Sequence, residues 1–103
     1  MSVTIPIDSI LVETGLPVAY GTLIKGTAPP YLVWRGNGQL TVQADNTHYF
    51  RENEYIIEYY FDKKSPSTEE IIESKLLEYG LIYEKSEDEY LDGEKVYIIY
   101  YYI

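Results

Sequence analysis

The chain closes on VYIIYYYI, Val96 to Ile103, a stretch that is apolar or aromatic at every position. A strand sends successive side chains to opposite faces. Val96, Ile98, Tyr100 and Tyr102 therefore share one face; Tyr97, Ile99, Tyr101 and Ile103 share the other. A strand with one wet face alternates apolar and polar residues. This one does not, so both of its faces call for cover.

A second strand of similar character is EYIIEYYFD. Tyr55, Ile57, Tyr59 and Phe61 face one way, and Ile56, Glu58 and Tyr60 the other. Between the two strands lies the clearest helix pattern, KKSPSTEEIIESKLLEYG. Ser65 is a cap with Pro66 at the first helical position, and Ser67 with Glu70 is an alternative capping box. Glu69 and Glu70 sit at the positive end of the helix dipole. Ile72, Leu76 and Tyr79 form a narrow apolar stripe, and Gly80 ends the helix. A narrow stripe predicts a helix lying on a sheet.

Upstream, PIDSILVETGLP places Ile7, Ile10 and Leu11 at helical spacing, with Gly15 and Pro17 as stop signals. GTLIKGTAPP reads as a loop, and YLVWR, Tyr31 to Arg35, as a strand. GNGQ is a turn, QLTVQ a half-exposed strand, and ADNT a hairpin turn before HYF. After the long helix come LIYEKS as a strand and the acidic stretch EDEYLDGEK. Its Asp92-Gly93 pair signals a two-residue turn into the closing strand.

The expected fold is therefore α+β: one domain, residues 1–103, with a mainly antiparallel sheet and two helices on one face. The two helices leave the other sheet face bare. A large exposed apolar face marks a partner surface. The residues expected at a subunit interface are Ile56, Tyr60, Tyr97, Ile99 and Tyr101. The competing expectation is a sheet that curls and buries its second face internally.

Composition narrows the functions. With no cysteine, disulfide scaffolds, thiolate metal sites and cysteine nucleophiles are excluded. No apolar run approaches a membrane span, and the first residues lack a basic leader pattern, so a soluble protein made in the cytoplasm is expected. Seventeen acids stand against 8 Lys and Arg, a net charge of −9. Gripping phosphates requires the opposite balance. The 13 tyrosines, against 2 Phe and 1 Trp, suit strands and half-buried contact surfaces alike.

Reactive constellations are weak. His48, the single histidine, has no spacing relation to a nucleophile and reads as an ordinary strand-end residue. The acids Glu69 with Glu70, and Glu87, Asp88 and Glu89, read as a helix-dipole partner and a solvated turn, not as a glycosidase pair. SEDEYLDGE is rich in oxygen ligands but lacks calcium-loop spacing. No catalytic, cofactor-binding or metal-binding residue is expected.

The order of several short motifs carries a resemblance. PPYLVW, ADNTHYF, YIIEYYFDKKSP, YEKSE and the closing aromatic strand resemble small tail-terminator or tail-completion proteins of long-tailed bacteriophages and prophages of Gram-positive hosts. The likeness runs from about Pro29 to the C-terminus. It implies a structural virion protein that forms a ring, expected to be a hexamer, on the head-proximal end of the tail tube. The ring would meet the tube and the head connector, with no cofactor and no reaction. DNA would pass through its channel without being gripped, and Asp45, Glu87, Asp88 and Glu89 would line that channel and repel phosphate. The alternatives are a head-completion or neck adaptor protein, and a small soluble bacterial binding module with a Tyr-rich face.

Overall fold

The computed structural model describes residues 6–22, 26–36 and 55–103. They form two helices and a six-stranded sheet, an α+β fold. Helix α1 is Ile7–Val12; the strands are β1 Val18–Tyr20, β2 Tyr31–Gly36, β3 Tyr55–Phe61, β4 Glu84–Lys85, β5 Glu89–Leu91 and β6 Val96–Tyr102; helix α2, Pro66–Glu78, lies between β3 and β4. The sheet order is β1-β2-β3-β6-β4, and β5 lies on the same side of β6 as β4. All pairs are antiparallel except β1 with β2, which run parallel. The expected strand QLTVQ, the ADNT turn, Asp45 and His48 lie outside the described residues.

Both helices form where the spacing predicts. Ile7, Ile10 and Leu11 are the buried residues of α1, and Gly15 follows at a φ of 86° that a side chain rarely tolerates. In α2, the Ser65 hydroxyl accepts the Thr68 amide at 3.3 Å, and Pro66 takes the first position, where no amide is needed. Its other end closes on Gly80, at φ 76°. Gly80 N donates to Leu77 O, and Leu81 N reaches back to Leu76 O, both at 2.9 Å. Two otherwise orphaned carbonyls are satisfied, and Leu81 folds onto the core that holds Leu76. Tyr79, expected on the apolar stripe, instead caps the helix and is exposed.

β6 lies between β3 and the β4–β5 edge, which explains its composition. Its register on β3 is Ile57↔Tyr101, Tyr59↔Ile99 and Phe61↔Tyr97 on one face, and Ile56↔Tyr102, Glu58↔Tyr100 and Tyr60↔Ile98 on the other. The first face meets the helices: Ile7, Leu11, Ile72 and Leu76 pack on Leu32, Ile57, Tyr59, Phe61, Ile99 and Tyr101. The second face holds another buried cluster, Tyr31, Val33, Tyr60, Val96 and Ile98, with Ala19, Leu91 and Tyr100 against it.

Two expectations are corrected here. The five residues assigned to a subunit interface do not share a face, because strand pairing sets Ile56 and Tyr60 opposite in sense to Tyr97, Ile99 and Tyr101. Ile99 and Tyr101 have no exposed surface, since they form the floor beneath the helices. Ile56 and Tyr60 are buried as well, 5% and 7% exposed, so the second face is not bare. Of the five, Tyr97 alone is exposed, at 38%.

Two local features were not anticipated. β1 is a short parallel edge strand in the stretch just before the GTLIKGTAPP loop, to which the sequence reading assigns no element. The β5–β6 turn is also longer than the Asp92-Gly93 signal implies. Glu94 N and Lys95 N both donate to Leu91 O, at 3.1 and 2.8 Å, and the left-handed residue is Lys95, at φ 56°.

Replacing Ile99 by Ala removes buried methyl groups from a site closed on all sides. Urea unfolding should show a loss of about 2–5 kcal/mol. Tyr20→Ala, at a largely exposed position, should stay within about 0.5 kcal/mol of the parent.

Candidate interaction surface

The long helix is tied to the sheet by charge as well as by its apolar stripe. Glu69 and Glu73, four residues apart, lie side by side on α2. Lys85, from β4, places its ammonium 2.7 Å from Glu69 Oε1 and 2.7 Å from Glu73 Oε2. Lys64, just before the helix, sits 2.8 Å from Glu69 Oε2 and 2.9 Å from Asp88 Oδ2. The hydroxyl of Tyr101, at the sheet centre, donates to Glu73 Oε2 at 2.9 Å. The chain of contacts therefore runs from β6 through α2 to β4 and on to Asp88.

The electrostatics follow from this placement. Burial pushes the Glu73 carboxyl up, but the Lys85 ammonium and the Tyr101 hydroxyl outweigh it, and the carboxyl rests below its ordinary range. Burial pulls Lys85 down, yet hydrogen bonds to Glu69 and Glu73 prevail and hold it up at about 12. Burial pushes the Tyr101 phenol up, and its bond to Glu73 adds to that. These groups are held in one charge state at neutral pH, which suits an anchor better than a proton-transfer site.

A second polar cluster lies on the opposite sheet face. Glu58, only 8% exposed, accepts from Arg35 Nε at 2.9 Å and from the Tyr60 hydroxyl at 2.6 Å. Burial, followed by the Glu58 bond, pushes the Tyr60 phenol up. Both oxygens of a buried carboxylate are thus used, one by a cation, as burial of a charge demands.

Of the acids expected to line a channel, Glu87, Asp88 and Glu89 lie along the β4–β5 edge. Lys85 pairs with Tyr101 and Glu89 with Ile98, so four steps on the edge strand match three on β6. One extra residue is inserted between them, a β-bulge. Ser86 stabilises it: its amide donates to Tyr100 O at 2.9 Å, and its hydroxyl accepts the Tyr100 amide at 2.8 Å. The bulge reverses which face each later side chain takes. Tyr90 joins Tyr97 on the helix side, and Leu91 joins Val96 in the second cluster. Glu87 and Glu89 are exposed, whereas Asp88 is ion-paired to Lys64. A bulged, acidic edge is poorly suited to pairing with another strand.

Among the described residues, two groups of packed aromatic rings with exposed members lie toward opposite edges of the sheet, while Tyr79 and Tyr102 are exposed apart from them. At the β1 edge, Tyr20 is 68% exposed and packs on Trp34 at 4.7 Å between ring centroids, and Trp34 meets Tyr55 edge-on at 5.6 Å. At the β5–β6 edge, Tyr90 is 51% exposed and packs on Tyr97 at 4.9 Å, which stacks on Phe61 at 5.5 Å. Sequence reasoning singled out Tyr97 but missed Tyr20, Trp34 and Tyr90. Tyr90 could not be placed from its spacing, because the bulge changes its face. Among the described residues, no group of three or more His, Asp or Glu is arranged to hold a metal ion. No helix among them is long and apolar enough to cross a membrane.

In comparisons with known proteins, no family model, no curated protein and no solved structure matches this chain.

Because the Glu73 carboxyl is lowered in the folded chain, its contribution is present above the ordinary carboxylate range and is lost as pH falls through its folded value. Urea unfolding at about pH 7 and about pH 3 should show this acid loss, and Glu73→Gln should reduce it. Lys85→Met leaves two carboxylates without their shared cation. Discounted for the partial exposure of Lys85, it should cost about 1–2 kcal/mol at neutral pH.

Proposed function

We propose that the protein is a structural subunit of a phage tail, a tail-terminator or tail-completion protein. It forms a ring on the head-proximal end of the tail tube and joins it to the head connector. The motif order from Pro29 to the C-terminus supports the class. The structural observation that carries the assembly role is the pair of different aromatic patches, Tyr20 with Trp34 and Tyr90 with Tyr97, on opposite edges of one sheet.

A ring is built from heterologous contacts, in which one patch meets a different patch on the next subunit. Two patches at the same edge would favour a closed pair. Here four strand spacings separate the patch-bearing edges, about 19 Å. A subunit with unlike patches on opposite sides propagates in one direction and closes when the rotation permits. Tyrosine suits both sides, since it combines a large apolar ring with a polar tip.

The acids belong to this reading as a repulsive surface. Glu87 and Glu89 are exposed on the β4–β5 edge, and the net charge of −9 opposes phosphate binding. In a ring they would face passing DNA and let it slide.

Light scattering after size exclusion, with and without assembled tail tubes, tests the ring. A discrete multiple near six supports it, and a monomer in both conditions overturns it. Tyr20→Lys and Tyr90→Lys should each stop assembly. Mixed together, the two variants should form a heterodimer and nothing larger, because each keeps one sound patch. Replacing Glu87 and Glu89 by Gln should slow DNA ejection from assembled particles, and unchanged ejection removes the channel role.

A further inference from the structure

The β1-edge patch has a chemistry that the ring does not require. Four elements converge there. Tyr20 comes from β1, Trp34 from β2, Tyr55 from β3 and Asp8 from α1. Trp34 stands between two tyrosines, tilted 58° to Tyr20 and 75° to Tyr55. Its indole N–H donates to Asp8 Oδ1 at 3.1 Å. Tyr55 pairs across the strands with Gly36, where an added Cβ would meet nothing within 4 Å among the described residues. Asp8 and Tyr20 are exposed, and Trp34 and Tyr55 are half-buried.

We propose that this corner binds a cationic side chain, arginine or lysine, presented by a partner protein. The faces of aromatic rings carry negative charge density, and indole attracts cations most strongly. The two tyrosine rings, each steeply inclined to the indole, offer faces beside it. The Asp8 carboxylate adds a full negative charge at the rim, and only one of its oxygens is used in holding the indole. A guanidinium can stack on a ring while donating to a carboxylate, and an ammonium can do the same as a point charge. A bond that served only to strap α1 to the sheet would need Trp34 and Asp8 alone. It would not need Tyr20 laid on the indole with two-thirds of its surface in water. The inference does not rest on the ring; it concerns a subunit whose β1 edge is not covered by a neighbouring copy.

Trp34 is the only tryptophan, so its emission, excited beyond the tyrosine band, reports on this corner alone. The probes are acetyl-Ala-Arg-Ala-amide, its lysine and glutamine counterparts, and tetramethylammonium. The arginine or lysine peptide should give a saturable change that the glutamine peptide does not. Higher salt should weaken it. Tyr20→Ala and Asp8→Asn should each weaken binding at least about threefold, in line with a cation–π or surface ion-pair contribution. Tyr20→Phe should retain it. Both weakening variants are at exposed positions, and an unchanged far-ultraviolet circular dichroism spectrum verifies their fold. Linear, unsaturating quenching, an equal response to the glutamine peptide, or variants that bind like the parent would each overturn the proposal. Saturation by tetramethylammonium with no response to either peptide would also overturn it, by assigning the corner to small free cations.

Discussion

The structure depends on one constraint: its last strand is an interior strand of the sheet. β6 is flanked by β3 on one side and by the β4–β5 edge on the other, and buried clusters occupy both of its faces. A strand in that position cannot tolerate a polar face, because each buried polar side chain would need a partner. Val96 to Ile103 meets the condition with aliphatic residues and tyrosines only. The rest of the molecule supplies the cover: α1 and α2 on one face, and Leu91, Ala19 and the rings of Tyr31 and Tyr60 on the other.

The use of tyrosine where phenylalanine would pack equally well has a local reason. Two of the buried tyrosines end on carboxylates that hold the fold together. Tyr101 reaches Glu73 of α2, and Tyr60 reaches Glu58 on its own strand. Each carboxylate also holds a cation, Lys85 or Arg35. The hydroxyl is thus satisfied, and the charge is paired, at the boundary between core and surface. On α2 this produces directional specificity that an apolar stripe lacks, because sliding or rotating the helix would part Glu69 and Glu73 from Lys64 and Lys85. Among the exposed tyrosines, Tyr20 and Tyr90 stand on edge strands and Tyr97 packs against Tyr90, where a ring with a polar tip can meet either water or a partner.

Much of the fold was legible because local chemistry and spacing agree. The Ser65-Pro66 start, the Gly80 stop and the Ile72–Leu76 spacing define α2 without reference to any other element. The alternation in Tyr55–Phe61 gives its two faces. The candidate surface was less legible. Tyr97 was read as a partner residue, correctly as to its exposure, but Ile99 and Tyr101 were grouped with it although the helices cover them. Two residues of one strand face look alike in sequence whether they lie under a helix or beyond its end. The acid-rich run resembled a solvated loop, whereas Glu89–Leu91 is a strand that completes the sheet.

The sequence by itself determined the class of fold, the boundaries of both helices, the strand character of Val96–Tyr102 and a surface charge unsuited to phosphate. These follow from short-range rules of capping, periodicity and charge balance. Tertiary structure alone decided which face of β6 meets the helices, since a period of two is the same whichever face is turned inward. It also decided the bulge at Ser86–Asp88 and with it the side on which Tyr90 emerges. The convergence of Asp8, Tyr20, Trp34 and Tyr55 arises only when four elements distant in the chain are brought to one corner.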